Sequence, residues 1–254
     1  MFPKIIHQTW GCFTDDDSLT SNQAQWSNTW KQLNPSYEYK LWNKQQNDDL
    51  VSNHYSDYKE AYDSYDREIK RVDFVRSCYL HKYGGIYADL DFECLRNFDS
   101  LFEQYSEYDV ILGEMWTDDS EDAPEAIKRS FSVPNALMAS KAGSDFWLHY
   151  MNFMVNAFPG ATVECSTGPA ALRGAYLSYP NKEKILILPK EYFFPLSWVS
   201  VVRDDSSARQ IRYAALSGTI TEQQKQDNFP DAYAVTYWDE AWKRESAGDA
   251  FLPV

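Results

Sequence analysis

The chain has 254 residues, 44% of them apolar and 16% aromatic, and a formal net charge of −14. That length can bury a sizeable core in one large or two small domains, and the acidity excludes a nucleic-acid partner, which wants a basic face. No apolar run approaches bilayer-spanning length, and Cys12, Cys78, Cys94 and Cys165 form no CxxC pair, which argues against a zinc or redox centre.

The opening MFPKIIHQTW lacks the apolar core of a signal peptide. The expectation is therefore a cytoplasmic protein, soluble or peripheral to a membrane. Lys4 to Trp10 reads as a buried strand and residues 11–24 as a polar loop. Trp26 to Leu33 reads as a short helix ended by Asn34-Pro35. Tyr37 to Trp42 alternates as a second strand. Residues 44–66, polar and tyrosine-rich, read as helical pieces on the surface.

The clearest helix is 67–83, where Val72, Val75, Tyr79 and Tyr83 recur at three and four residues as one apolar stripe. Gly84-Gly85 stops it. Ile86 to Phe92 alternates as one strand, and Tyr108 to Gly113 is a further buried strand before an acidic loop, Asp118 to Glu125. Residues 143–158 read as a second amphipathic helix closed by Pro159-Gly160. Lys184 to Pro189 reads as a strand, 203–210 and 217–230 as polar, flexible segments, and Ala232 to Trp238 as the last strand. Strands alternate with helices without repeats or linkers. The fold class is therefore α/β with a mostly parallel sheet flanked by helices, and ligands bind such sheets at the carboxyl ends of the strands.

The chemistry concentrates in residues 71–93, RVDFVRSCYLHKYGGIYADLDFE. In a continuous strand Tyr87, Asp89 and Asp91 would share one face, the two carboxylates about 6–7 Å apart. Such a pair repels itself unless a cation neutralises it. At a strand end it can grip Mg²⁺ or Mn²⁺ and leave the remaining coordination to a diphosphate. Asp15 and Asp17 repeat the Asp-x-Asp spacing, but in a polar loop where they read as solvated. The preceding helix sets Asp73 and Arg76 three apart, a spacing that by itself favours a local ion pair. Glu93 stands where an aspartyl-phosphate phosphatase needs Thr or Val, and no P-loop, His-Glu-x-x-His or Gly-x-Ser-x-Gly motif occurs.

Three ordered motifs, PKIIHQTW, NPSYEYKLW and VDFVRSCYLHKYGGIYADLD, resemble the family 32 glycosyltransferases, which include yeast-type mannosyltransferases. The catalytic domains of the clostridial glucosylating toxins are similar. Scattered echoes follow at PNALMASKAG, STGPAAL and YWDEAW. The resemblance implies a single GT-A domain over 1–254, with a nucleotide-sugar-binding half (1–113) and an acceptor half with a C-terminal lid (114–254). It implies retaining, Mn²⁺- or Mg²⁺-dependent transfer of a hexose from a nucleotide-sugar donor to a glycan, lipid or protein acceptor. A UDP-sugar is favoured over GDP-mannose.

Residue by residue, the resemblance assigns catalytic roles to Asp73, Arg76, Asp89 and Asp91, with Asp91 and Asp89 at the metal. It places Trp10 by the nucleobase, Asp73 and Arg76 on the donor hexose, and Tyr87 with Asp89 at the ribose and sugar. Asn135 and the Thr167-Gly168-Pro169 turn would line the sugar and acceptor side, and Trp242 would cover the diphosphate. The family's C-terminal His-His-Trp-x-x-Ser-Trp is replaced here by Thr236 to Trp242, which puts Asp239 or Glu240 forward as substitute metal contacts. The missing Golgi anchor argues against a secretory mannosyltransferase. Two other classes stay open. One is a carbohydrate-binding module without catalysis. The other is a sugar-1-phosphate nucleotidyltransferase, though Gly11-Cys12-Phe13 offers it no glycine-rich phosphate loop.

Overall fold

The structure, a computed structural model, describes residues 1–10, 18–117, 131–157, 161–198, 201 and 206–239. Its frame is a six-stranded sheet. The strands are β1 (Ile5–Thr9), β2 (Glu38–Trp42), β3 (Gly85–Ala88), β5 (Val110–Gly113), β8 (Leu137–Ser140) and β9 (Ile185–Leu188), in the order β2-β1-β3-β8-β5-β9. β1 pairs in parallel with both β2 and β3, and β5 with β9, while β8 runs antiparallel to its two neighbours. The mostly parallel α/β sheet expected from the sequence is thus present, with one reversed strand in its middle.

The sheet is buried on both faces. Tyr87, Val110, Leu112, Met138 and Ile185 point toward a cluster built from helices α2 (Lys44–His54), α4 (Glu68–Lys82), α6 (Asp145–Val155) and α8 (Pro169–Ser178). Their neighbours Ile86, Ala88, Ile111, Leu137 and Ala139 point the other way, toward Trp30 of α1 (Ser21–Leu33) and Leu101 of α5 (Asp99–Gln104). Two-sided burial is why the inner strands β5 and β8 read as unbroken apolar runs, whereas the edge strand β2 is largely exposed. Two short pairs lie outside the sheet: β4 (Phe92–Cys94) against β10 (Ala234–Thr236), and β6 (Trp116–Thr117) against β7 (Phe131–Ser132).

Local chemistry sets the element ends. α1 starts at Ser21 rather than Trp26 because Thr20 and Gln23 form a capping box. A second box, Thr221 with Gln224, opens a helix over Glu222–Asn228, and Ser206–Leu216 is also helical. The flexible segments expected at 217–230 and across 206–210 are therefore corrected. α4 ends where the sequence places its stop. Gly84 and Gly85 adopt φ of 66° and 90°, and a Cβ on Gly85 would lie 2.3 Å from Ile5 O. Only glycine lets the chain turn so closely against β1. Among the described residues no helix is long and apolar enough to cross a membrane. The acidic loop at 118–125, the Pro159-Gly160 stop, Cys12, Asp15, Asp17, Glu240 and Trp242 lie outside the described residues.

Candidate functional site

The expected strand Ile86–Phe92 is in fact two. β3 ends at Ala88, β4 begins at Phe92, and between them Asp89, Leu90 and Asp91 form a turn closed by Phe92 N–H donating to Asp89 O at 3.2 Å. The two carboxylates therefore come together through a turn at the carboxyl rim of the sheet, and strand pleat does not orient them. The turn is tethered by Asp89 N–H donating to Ala136 O at 2.8 Å and by Gln8 Nε2 donating to Asp89 O at 3.1 Å.

Helix α4 passes behind this turn. Its middle is buried all round, including Asp73 and Arg76 at 3% and 5% exposure, so the single apolar stripe read from sequence understates its burial. Arg76 pairs with Asp73 Oδ1 at 3.1 Å and with Asp89 Oδ1 at 3.0 Å, and donates to Asn135 O at 3.2 Å. Its guanidinium lies 4.9 Å from the centre of the Tyr87 ring, and the Tyr87 hydroxyl donates to Asp89 Oδ1 at 2.6 Å. Asp73 also accepts from Asn135 Nδ2 at 2.9 Å and from the Thr167 hydroxyl at 2.8 Å, which occupies both carboxylate oxygens. Tyr150 donates to Thr167 O at 2.5 Å and closes the network. Asp73, Arg76, Tyr87, Asp89, Asn135 and Thr167, each singled out from the sequence, are thus joined in one buried cluster. No motif or spacing marks Tyr150, an aromatic on an amphipathic helix.

Asp91 faces a different neighbourhood. β10 pairs with β4 so that Thr236 sits opposite Phe92, and Tyr237 N–H donates to Asp91 O at 3.3 Å. The Thr236 hydroxyl and the Asp239 backbone N–H act on the Asp91 carboxylate and favour its charged form. Between them Trp238 takes a positive φ of 55°, uncommon for a large side chain. Arg212 holds that bend by donating to Tyr237 O at 3.0 Å and Trp238 O at 2.6 Å. Asp239, reached by its position after the C-terminal aromatic stretch, is so brought to Asp91. Thr236 carried no signal.

The acids feel a shortage of positive charge. Burial, then the Asp89 carboxylate and Asp239, push Asp91 up to about 7 against the Thr236 hydrogen bond. Burial also raises Asp89, opposed by Arg76. Burial pushes Asp73 up to about 6, opposed by Arg76 and Thr167. Among the described residues no lysine or arginine pairs with Asp91, whose side chain is half-buried.

These groups fit a hard divalent cation. The side-chain groups about Asp91 offer oxygen, the Arg76 guanidinium is spent on Asp73 and Asp89, and that of Arg212 donates to the carbonyls of Tyr237 and Trp238. Among the described residues no group of three or more His, Cys, Asp or Glu converges to hold an ion. Trp10 sits just past the carboxyl end of β1, half-exposed, its N–H donating to Trp42 O at 2.8 Å and its indole to Ser18 O at 3.1 Å.

Residues 20–108 match a family described as the glycosyltransferase sugar-binding region containing a DXD motif. The chain is similar to inositol phosphoceramide mannosyltransferase 3 of Schizosaccharomyces pombe, 33% identical over 191 residues that make up 71% of this chain and 47% of that protein. The chain spans about half the length of the curated relatives it matches first, at 47%, 44% and 48%. The PaToxG glycosyltransferase shares the fold with a TM-score of 0.51 at 15% identity, covering 92% of this chain and 89% of that one. Mouse xyloside xylosyltransferase 1 in its apo form does so with a TM-score of 0.50 at 10% identity, covering 93% and 97%.

Proposed function

We propose, from the premise that the chain belongs to the glycosyltransferases with a DXD sugar-binding region, that it transfers a hexosyl group from a nucleotide-sugar donor to a hydroxyl acceptor with retention. One observation carries the reading. At the carboxyl rim of the sheet Asp89 is matched by Arg76, while Asp91, beside Asp89 and Asp239, has no basic partner among the described residues. A diphosphate could approach so acidic a rim only with a cation between them.

Asp91, with Asp89 and the oxygens of Thr236 and Asp239, would hold Mn²⁺ or Mg²⁺. That ion would neutralise charge on the donor diphosphate as it departs. Arg76, held by Asp73 and Asp89, fixes both carboxylates and keeps only its Nε unpartnered toward a donor. Tyr87 keeps the Asp89 carboxylate oriented. Asn135 and Thr167 hold Asp73, so the sugar meets a preset wall. The bond from sugar C1 to phosphate oxygen breaks and the bond to the acceptor oxygen forms. The acceptor proton passes to the departing diphosphate.

Residues 1–113 would grip the donor and 114–254 the acceptor, with Trp10 at the base and Trp242 over the diphosphate. The similarity to an inositol phosphoceramide mannosyltransferase supports mannose, over the UDP-hexose favoured by the resemblance, and a lipid-borne inositol-phosphate headgroup as acceptor. A panel of GDP-mannose and UDP-hexoses with Mn²⁺, read as nucleoside diphosphate release with and without chelator, tests it. Release from GDP-mannose that stops in chelator is expected. No release from any donor, or full release in excess chelator, would overturn it.

A further inference from the structure

Three tyrosines surround Phe74, the residue after Asp73. Tyr58, Tyr62 and Tyr65 lie with ring centres 5.7, 5.8 and 6.4 Å from it. Two of the three hydroxyls have protein partners: Tyr58 donates to Asn152 Oδ1 at 3.1 Å and Tyr62 to Asp48 Oδ1 at 2.9 Å. The Tyr65 hydroxyl is buried and has none. Elsewhere in the core the tyrosine hydroxyls are taken, as at Tyr37, Tyr55, Tyr87, Tyr150 and Tyr237. An unpartnered buried hydroxyl forfeits its water without compensation.

The backbone that carries the ring is held. Tyr65 caps helix α3 (Lys59–Ser64), and Arg71 clamps its carbonyl with a 2.5 Å hydrogen bond. Its ring packs on Phe74, the residue after Asp73, and burial first and then the Asp73 carboxylate make the phenol harder to ionise. The phenol thus keeps its proton and offers both a donor and an acceptor. Arg76 Nε, on the same helix as Asp73, is a second buried polar atom without a partner. Two buried polar atoms without partners, one on the ring packed against Phe74 and one on the arginine paired with Asp73, are groups that a polyhydroxylated ligand would satisfy.

We propose that Tyr65 is a sugar-contacting residue whose hydroxyl bonds a hydroxyl of the transferred hexose; this rests on the donor reading above. Phosphate is a poorer fit, because a neutral phenol beside Asp73 supplies no positive charge. The contact belongs to the sugar, so it affects donors that share a hexose and is indifferent to the nucleotide.

The test is Tyr65→Phe, which removes one oxygen and keeps the ring, beside Tyr62→Phe, which removes a hydroxyl that has a partner. Donor turnover and the thermal midpoint are measured for both and for the unaltered chain. Tyr65→Phe is expected to raise the donor KM about five-fold or more, the scale of one lost neutral hydrogen bond, with a midpoint unchanged or higher. Tyr62→Phe is expected to lower the midpoint and leave KM alone. A Tyr65→Phe protein with an unaltered KM overturns the contact, and one with a lower midpoint shows a structural partner and overturns it too. If the unaltered chain turns over no nucleotide sugar, the donor reading fails first and the Tyr65 role falls with it. An active chain with an indifferent Tyr65→Phe sinks Tyr65 alone.

Discussion

Acidification should remove a defined share of stability through one residue, His7. This side chain is wholly buried in β1; its Nε2 sits 2.9 Å from Gly84 O, and the Trp42 indole N–H donates to its Nδ1 at 3.1 Å. Since an indole only donates, Nδ1 must be the bare acceptor and Nε2 must carry the proton given to Gly84. A second proton has nowhere to go without breaking the Trp42 bond. Burial, reinforced by Lys40, accordingly lowers His7 from 6.5 to about 4, although the Gly84 bond acts the other way. The folded pKa lies below the unfolded one, so the unfolded chain takes up the proton first. The stabilisation is complete above about 6.5 and is lost as pH falls toward 4. At about 1.4 kcal/mol per pH unit the gap is worth about 3 kcal/mol. Asp73, pushed up to about 6, works in the opposite direction and gains stability on acidification, so total stability alone does not isolate His7. The informative quantity is the difference between the unaltered chain and His7→Gln, whose amide can serve both partners. Urea midpoints at pH 7.5, 5.5 and 4.5 should show that difference shrinking by roughly 2–3 kcal/mol across the window. A difference that stays constant with pH would refute the reasoning.

Three further outcomes follow from the geometry. Gly85→Ala should cost more than about 2 kcal/mol in urea unfolding, because φ of 90° and a Cβ 2.3 Å from Ile5 O leave no relaxed position. Lys225→Met should cost about 3–5 kcal/mol by stranding Glu93, buried at 4% exposure and bonded to Lys225 at 2.6 Å and to the Tyr237 hydroxyl at 2.8 Å; Lys225→Met with Glu93→Leu should recover most of it. Asp91→Asn should abolish diphosphate release yet raise the thermal midpoint at pH 8, since it removes a carboxylate that burial, Asp89 and Asp239 hold at about 7; a lower midpoint would mean that the site is not short of positive charge.

The sequence shows its periods plainly where a segment has one environment. β1, β2, β5 and β9 fall within a residue or two of the expected strands: burial on both faces writes β5 as an apolar run, while the edge strand β2, largely exposed, shows itself by alternation. It misleads where two environments adjoin. Ile86 to Phe92 alternates without a break, but Asp89–Asp91 turn out of the sheet to meet β10, a partner some 140 residues away in the chain. β8 is bounded by Pro134-Asn135 and Gly143, but its four residues are too short a run to show their direction, which depends on tertiary pairing. The helices at 206–216 and 222–228 were legible only through the Thr221-Gln224 box and the apolar positions Ala208, Ile211 and Ala215, outweighed by surrounding polarity. For the site, proximity in sequence revealed Asp73, Arg76, Tyr87 and Asp89, since one helix and one strand supply them. Asp239 is reached through its place in the C-terminal aromatic stretch, whereas Thr236 and Tyr150 come from elsewhere in the chain and their types are common in any fold.

The position of Asp91 is therefore governed from the C-terminal side as much as from β3. Its flanking strand β4 is held by β10, and β10 is held in turn by Lys225 and Tyr237 on Glu93 and by Arg212 on the Trp238 bend. Glu93 is the residue after Phe92, so the buried ion pair with Lys225 anchors the strand that leaves the acidic turn. A buried pair of this kind adds little net stability over an apolar substitute, but it admits one register between β4 and β10, and a slip by one residue would turn Thr236 away from Asp91. The Lys225→Met, Glu93→Leu double replacement separates the two effects. If the pair serves only stability, diphosphate release returns together with the thermal midpoint. If it fixes register, the midpoint recovers while release stays impaired and its dependence on Mn²⁺ concentration shifts upward.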